Sequence, residues 1–196
     1  MLVIEHFVRF RPIRRIPMST NLRVLKTKRN IQQALFSLLI QGQSYSLVTI
    51  DQICREALCS RSTFYAHYTQ KNDLLEEITD HYVSQFQKFL TRRLESSQTT
   101  HFEYISQQLI NQFILPSQPQ LRVLLAIRND PTLGLEEKFQ KVIITELSKK
   151  STKSRTLIKL YAVNVTTIFK MLVNNELCSQ DLQQLSVWQE KLELTE

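Results

Sequence analysis

A chain of 196 residues with 42% hydrophobic residues, but only 2 glycines and 5 prolines, can bury a sizeable core; it favours an all-helical protein over a sheet or a disordered chain. The formal net charge of +7 sits at one end: residues 1–30 carry Arg9, Arg11, Arg14, Arg15, Arg23, Lys26, Lys28 and Arg29 against Glu5, while the rest balances. No run of about 18 apolar residues, no low-complexity tract and no internal repeat is present, so a membrane span or solenoid is not expected.

The first segment, MLVIEHFVRFRPIRRIP, is basic and apolar but is interrupted by Pro12 and Pro17. Without a clean apolar core it does not read as a targeting peptide. It is expected to lie outside the folded unit as part of a disordered basic extension over 1–22, with Met18 as a second candidate start. The spacing then predicts a helix over 25–41, with Ile31, Leu35, Leu38 and Leu39 as its apolar stripe and Gly42 as its stop.

Thr49 is a natural N-cap for a second helix, in which Ile50, Ile53, Cys54 and Ala57 form one buried face. Leu58 and Cys59 break that helix, and Ser60 caps a third, Arg61 to His67, of about two turns. A helix so short cannot stand alone. It nonetheless carries Arg61, Ser62, Thr63, Tyr65, His67 and Tyr68, side chains that donate to phosphates and base edges. A basic arm next to such a helix is an electrostatic footprint for the phosphate backbone of DNA, with a solvated tail as the other reading. A fourth helix is predicted over 72–96, with Leu75, Ile78, Tyr82, Phe86 and Phe89 recurring on one face.

Helical patterns continue beyond. One runs over 102–115, ended by Pro116 and Pro119; one over 120–128; one from 134 or 135 to 149; one over 154–174 with Leu157, Tyr161, Val165, Ile168 and Leu172; and one over 181–194 with Leu182, Leu185 and Trp188. About nine helices result. Cys54, Cys59 and Cys178 are odd in number and lack zinc or C-x-x-C spacing, so they read as reduced thiols. A redox role for Cys59, which abuts the third helix, stays open beside its reading as a small buried hydrophobe. His6, His67, His81 and His101 show no ligand spacing. No metal or cofactor is expected, and without a nucleophile–base pair or a Gly-rich phosphate loop neither is an enzyme.

The run from Thr49 to Leu75, T-I-x-x-I-C-x-x-A-x-x-S-x-S-T-F-Y-x-H-Y-x-x-K-x-D-L-L, resembles the DNA-binding domain of tetracycline-repressor-type (TetR/AcrR) regulators. Thr49, Ile53, Ala57, Ser60, Thr63, Phe64, Tyr65, His67, Lys71, Leu74 and Leu75 fall on matching positions, within a resemblance that covers about residues 24–78. Two positions depart from it. Leu58 stands where the family has a turn glycine, which implies strain or a different turn, and Ser62 replaces a second glycine.

The resemblance implies a three-helix helix-turn-helix head over 23–71 and a helical regulatory and dimerisation domain over 72–196. Lys26, Lys28, Thr49, Arg61, Ser62, Thr63, Tyr65, His67, Tyr68 and Lys71 become the DNA-binding candidates. Thr49 serves a phosphate or the cap alone; Arg61 reads guanine or meets phosphate; Phe64 is core; Lys71 meets a phosphate at the start of the fourth helix. An unknown small-molecule effector is implied in a pocket that Tyr82, Phe86, Phe102, Tyr104, Phe113, Phe139, Tyr161 and Phe169 could line, although each could equally be core. The last two helices are implied to form a homodimer, with monomer core as the other reading of their stripes. The expected protein is a cytoplasmic bacterial repressor that leaves a palindromic operator when the effector binds; an activator or adaptor controlled by a protein partner is the alternative.

Overall fold

The computed structural model describes residues 18–95, 108–127, 134–177 and 181, and among these residues the elements are helices joined by turns, without strands. Seven α-helices follow in order: α1 Met18–Ile40, α2 Ile50–Glu56, α3 Arg61–Tyr65, α4 Lys71–Glu95, α5 Gln118–Ala126, α6 Leu135–Lys150 and α7 Arg155–Val173. The first helix begins at Met18 rather than Leu25. The expected helix over 102–115 is described only from residue 108 on and that over 181–194 only at 181, while Phe102, Tyr104, Cys178 and residues 1–17 lie outside the described residues.

Pro116 and Pro119 do not end the chain's helical path, contrary to expectation. Ile110–Ile114 is a π turn in which the Leu115 N–H reaches the Ile110 carbonyl, and Leu115–Ser117 follows as a 3-10 turn into α5. Pro116 falls in the first turn of that 3-10 segment and Pro119 in the first turn of α5, where a donor has no intrahelical partner.

The head forms because α2 and α3 are too short to hold themselves and must bury their apolar faces together. Ile31, Leu35 and Leu38 of α1, Ile53 and Cys54 of α2, Phe64 of α3, and Leu74, Leu75 and Ile78 of α4 are all buried in one continuous core. Three Schellman turns shape the chain. After α1, Gly42 (φ 92) lets the Gln43 N–H bond the Leu38 carbonyl. After α2, Leu58 (φ 52) does the same for Cys59 and Cys54; after α7, Asn175 (φ 61) does it for Glu176 and Met171. Leucine thus occupies the left-handed turn position itself, with its side chain 94% exposed.

Beyond the head, α6 and α7 pair antiparallel, because Gln140 reaches Thr166 (3.2 Å) while Lys170 reaches Glu136 (3.4 Å). Helix α4 joins this pair through polar clasps as well as apolar packing. Lys138 Nζ donates to Thr79 Oγ1 (3.2 Å) and Asp80 Oδ1 (2.6 Å), and Gln87 Nε2 donates to buried Glu146 (3.0 Å). Helix α5 closes the end of α7: Gln118 and Arg122 both donate to the Val173 carbonyl.

Helix α7 is apolar on two sides. Its inner face, Ile158, Ala162, Thr166, Phe169 and Val173, is buried. Its outer face leaves Leu157 55%, Leu160 62% and Val163 49% exposed. An 18-residue window of this 19-residue helix has a mean hydropathy of 1.4, which reaches what a membrane span needs by length and composition alone.

Candidate DNA-binding site

The site is built outward from Phe64, which is fully buried and fixes α3 on the head. Ser60 opens the helix: its Oγ accepts from the Thr63 N–H (3.1 Å) and lies 2.8 Å from both Ser62 Oγ and Thr63 Oγ1. Three hydroxyls are therefore clustered over the first turn. With Phe64 pointing inward, Arg61, Ser62 and Tyr65 point outward; Tyr65 is 53% exposed and rests edge-on against Phe64, with ring centroids 5.7 Å apart. His67 lies half-buried just beyond, and the Tyr68 N–H closes the last turn on the Phe64 carbonyl.

Helix α2 presents its start beside α3. Thr49 forms a capping box with Gln52: the Thr49 hydroxyl accepts from the Gln52 N–H (3.3 Å) and the Gln52 side chain accepts from the Thr49 N–H (2.7 Å). In the same first turn of α2, Asp51 takes the Nε and Nη2 hydrogens of Arg61 side-on through its two oxygens. That pair holds the Asp51 carboxyl below its usual range, chiefly through the hydrogen bond itself. Between α2 and the start of α3 lies an open concavity of about 600 Å³, whose lining includes Thr49, Asp51, Arg55, Cys59 and Arg61. Asp51 and Arg55 were not singled out from the sequence. The available signal was an acid on the first turn of one short helix and a base on the first turn of the next.

Three other expected contact residues are engaged within the head. Lys28 Nζ pairs with Glu77 (2.7 Å) and lies 5.3 Å from the Tyr68 ring centroid. Tyr68 is only 3% exposed, and its hydroxyl donates to the same Glu77 (3.4 Å). Burial, with Glu77 adding to it, pushes the Tyr68 phenol up to about 12. Lys71 Nζ donates to the Tyr45 and Val48 carbonyls, each at 2.6 Å, and sits 4.4 Å from the Tyr45 ring centroid. These residues tie α1, the 45–48 loop and α4 together, with one hydrogen of the Lys71 ammonium left over. Lys26, by contrast, is exposed on α1.

Cys54 and Cys59 meet across the α2–α3 turn. Burial, then the neighbouring Cys59, pushes the Cys54 thiol up to about 11, so it is a poor nucleophile at neutral pH.

Of the aromatic residues expected to line a ligand pocket, Tyr82, Phe86, Phe113, Phe139 and Phe169 are brought together in the body of the protein, in mutual contact, while Phe102 and Tyr104 lie outside the described residues. Phe86 stacks on Phe139 with centroids 4.3 Å apart; Phe169 meets Phe139 edge-on at 5.1 Å; Phe113 lies 6.1 Å from both Phe169 and Tyr82. Phe113 and Phe139 are fully buried, and Tyr161 packs at the edge of the cluster's core. A ligand entering here has to part rings that already touch.

Residues 38–78 match the bacterial regulatory proteins of the tetR family. An HTH-type transcriptional regulator of Bacillus subtilis (strain 168), YxbF, is 37% identical over 67 residues, covering 30% of this chain and 18% of the relative. The chain therefore spans under a fifth of that relative's length. Among solved structures, a gamma-butyrolactone receptor (an ArpA-like protein) shares the fold with a TM-score of 0.55 at 17% identity, over 88% of this chain and 98% of that one. The repressor AlkX of Dietzia sp. aligns with a TM-score of 0.46 at 19% identity, over 84% of this chain and 91% of its own.

Proposed function

Because residues 38–78 match the tetR family of bacterial regulatory proteins, we propose that this chain is a homodimeric transcriptional repressor of that type, which binds a palindromic operator through α2 and α3 and leaves it when an effector enters the helical body. The observation that carries the reading is the outward set on α3. Arg61, Ser62, Thr63 and Tyr65 can face a major groove while Phe64 anchors the helix behind them. Thr49, His67 and exposed Lys26 supply flanking phosphate contacts, which add affinity without sequence information. Lys28, Tyr68 and Lys71 brace the reading surface.

The outer face of α7 supports the dimer. Leu157, Leu160 and Val163 form an exposed apolar strip on a helix whose inner face is already packed. A second copy related by a two-fold axis covers such a strip with the same strip, and a two-fold protein matches a palindromic site. The effector is a small apolar molecule. It would enter among Phe86, Phe113, Phe139 and Phe169 and shift α4, which carries the head. Release follows if the effector binds better to the arrangement that misplaces the two heads. Such a protein works in the cytoplasm, beside the chromosome.

The test is a footprint and gel shift on the DNA flanking the protein's own gene, with sedimentation on the same samples. The wild type should protect a short palindrome as a dimer. Tyr65→Ala should lose at least about tenfold in affinity, of the order of one lost base contact, and remain dimeric, while Leu160→Lys should sediment as a monomer. Full affinity in Tyr65→Ala would reject α3 as the reading helix.

A further inference from the structure

Asp51 and Arg61 sit on the first turns of two successive short helices, whose relative placement is fixed by buried Ile53, Cys54 and Phe64. Their side chains stay accessible, at 45% and 67% exposure. A guanidinium carries five N–H groups in one plane. Asp51 occupies two of them on one edge, Nε–H to Oδ1 and one Nη2–H to Oδ2. The hydrogens left are the pair on Nη1 and the second on Nη2. The end of the fork, where Nη1 and Nη2 point forward in parallel, is therefore intact and held in a fixed direction.

That end matches one acceptor pattern in the major groove, the O6 and N7 atoms of guanine. It could also meet a phosphate, but the Asp51 charge argues against this. The pair is formally neutral, so the attraction that draws a free arginine to the backbone is largely cancelled, and an approaching phosphate would meet the carboxylate as well. A base edge carries no net charge and pays no such penalty.

We propose that Asp51 is a specificity-determining residue, which locks Arg61 edge-on so that it reads one guanine in each half-site instead of drifting to the phosphate backbone. The inference rests on the DNA-reading function proposed above. Asp51 touches Arg61 and leaves the base to it.

The experiment is selection from randomised duplexes with the full chain, comparing wild type, Asp51→Ala, Asp51→Asn and Arg61→Ala. Salt titrations on non-specific DNA accompany it. Wild type should enrich guanine at one position per half-site with roughly tenfold discrimination or more, the value of a bidentate contact. Both Asp51 variants should enrich the remainder of the same site but retain under about threefold discrimination at that position. Their non-specific binding should tighten, and its salt slope should steepen by about one phosphate's worth, because Arg61 is released. Arg61→Ala should lose the guanine without the steeper slope. Asp51→Asn keeps the side-chain shape, so loss of discrimination there, with an unchanged melting curve, separates orientation from folding.

Guanine discrimination kept in both Asp51 variants, or kept in Arg61→Ala, overturns the assignment while leaving the head a DNA reader. A wild type that enriches no sequence overturns the DNA-reading function itself, and this inference with it.

Discussion

Lys71 separates two roles that the sequence leaves together: a phosphate contact and an internal brace. Its ammonium donates to the Tyr45 and Val48 carbonyls and lies against the Tyr45 ring. Hydrogen bonds to a charged group contribute about 1.5–3 kcal/mol each, and a cation over an aromatic ring about 0.5–1. Burial lowers the Lys71 pKa, so part of that gain is offset by desolvation. Water can also reach the two carbonyls once the lysine is gone. Lys71→Met, which keeps the apolar stem, should therefore cost about 2–3 kcal/mol. At roughly 2–4 °C per kcal/mol for a chain of this size, the melting temperature should fall by about 4–12 °C. The assay is a circular dichroism melt of variant and wild type, paired with the salt dependence of DNA binding well below either midpoint. A braced lysine leaves the salt slope unchanged, whereas a phosphate contact contributes about 0.9 to it. An unchanged midpoint with a slope reduced by about one would refute the brace.

Two further outcomes follow from single observations. Leu58 holds a left-handed turn with its side chain in water, so Leu58→Gly removes about 1–2 kcal/mol of backbone cost and adds about 0.5–1 of unfolded-state entropy; the melt should rise by roughly 1–4 °C, and a fall would mean the exposed leucine has an unrecognised contact. Burial, followed by Asp73 for Tyr45 and Glu77 for Tyr68, raises both phenols from 10.0 to about 12. Folding favours their neutral forms, so this contribution is full below pH 10 and is lost as pH rises towards 12. Urea midpoints should fall across that window and tyrosinate absorbance should lag for part of the tyrosines; normal ionisation of all of them near pH 10, with a constant midpoint, would contradict it.

The head was legible because its signals are local. Thr49 and Ser60 announce their helices by side-chain chemistry alone, and the spacing of Ile53, Cys54 and Ala57 leaves one arrangement for α2. What escaped depends on distance. Glu77 gathers Lys28 and Gln32 of α1 and Tyr68 after α3, so residue type alone could not separate a lysine facing a phosphate from one facing a carboxylate. Tyr68 lies four positions after buried Phe64 and shares its face, a helical relation strong enough to have predicted its burial. The path through Pro116 and Pro119 was missed for another reason: proline is read as a helix stop, yet both prolines fall in first turns, where no intrahelical donor is needed. The outer strip of α7 was visible as apolar residues, but periodicity alone does not say which of two apolar faces meets the monomer's own core.

The distribution of these clasps bears on how an effector could act. At its beginning α4 is tied to the head by Lys71 on the 45–48 loop, by Glu77 on α1 and Tyr68, and by Asp73, whose carboxylate accepts from the Thr69 and Gln70 N–H groups (2.9 and 3.2 Å). Further along it is tied to α6 by Thr79, Asp80 and Gln87, and it packs Phe86 into the ring cluster. A helix held at both places transmits a rigid displacement better than it absorbs one, since packed contacts have discrete arrangements. Parting Phe86 from Phe139 would then tilt α4 as a lever and carry α2 and α3 with it as one body. The braces on Lys28, Tyr68 and Lys71 thus do for the proposed switch what Asp51 does for Arg61: they remove freedom behind the reading surface, so that a small movement in the core becomes a displaced recognition helix.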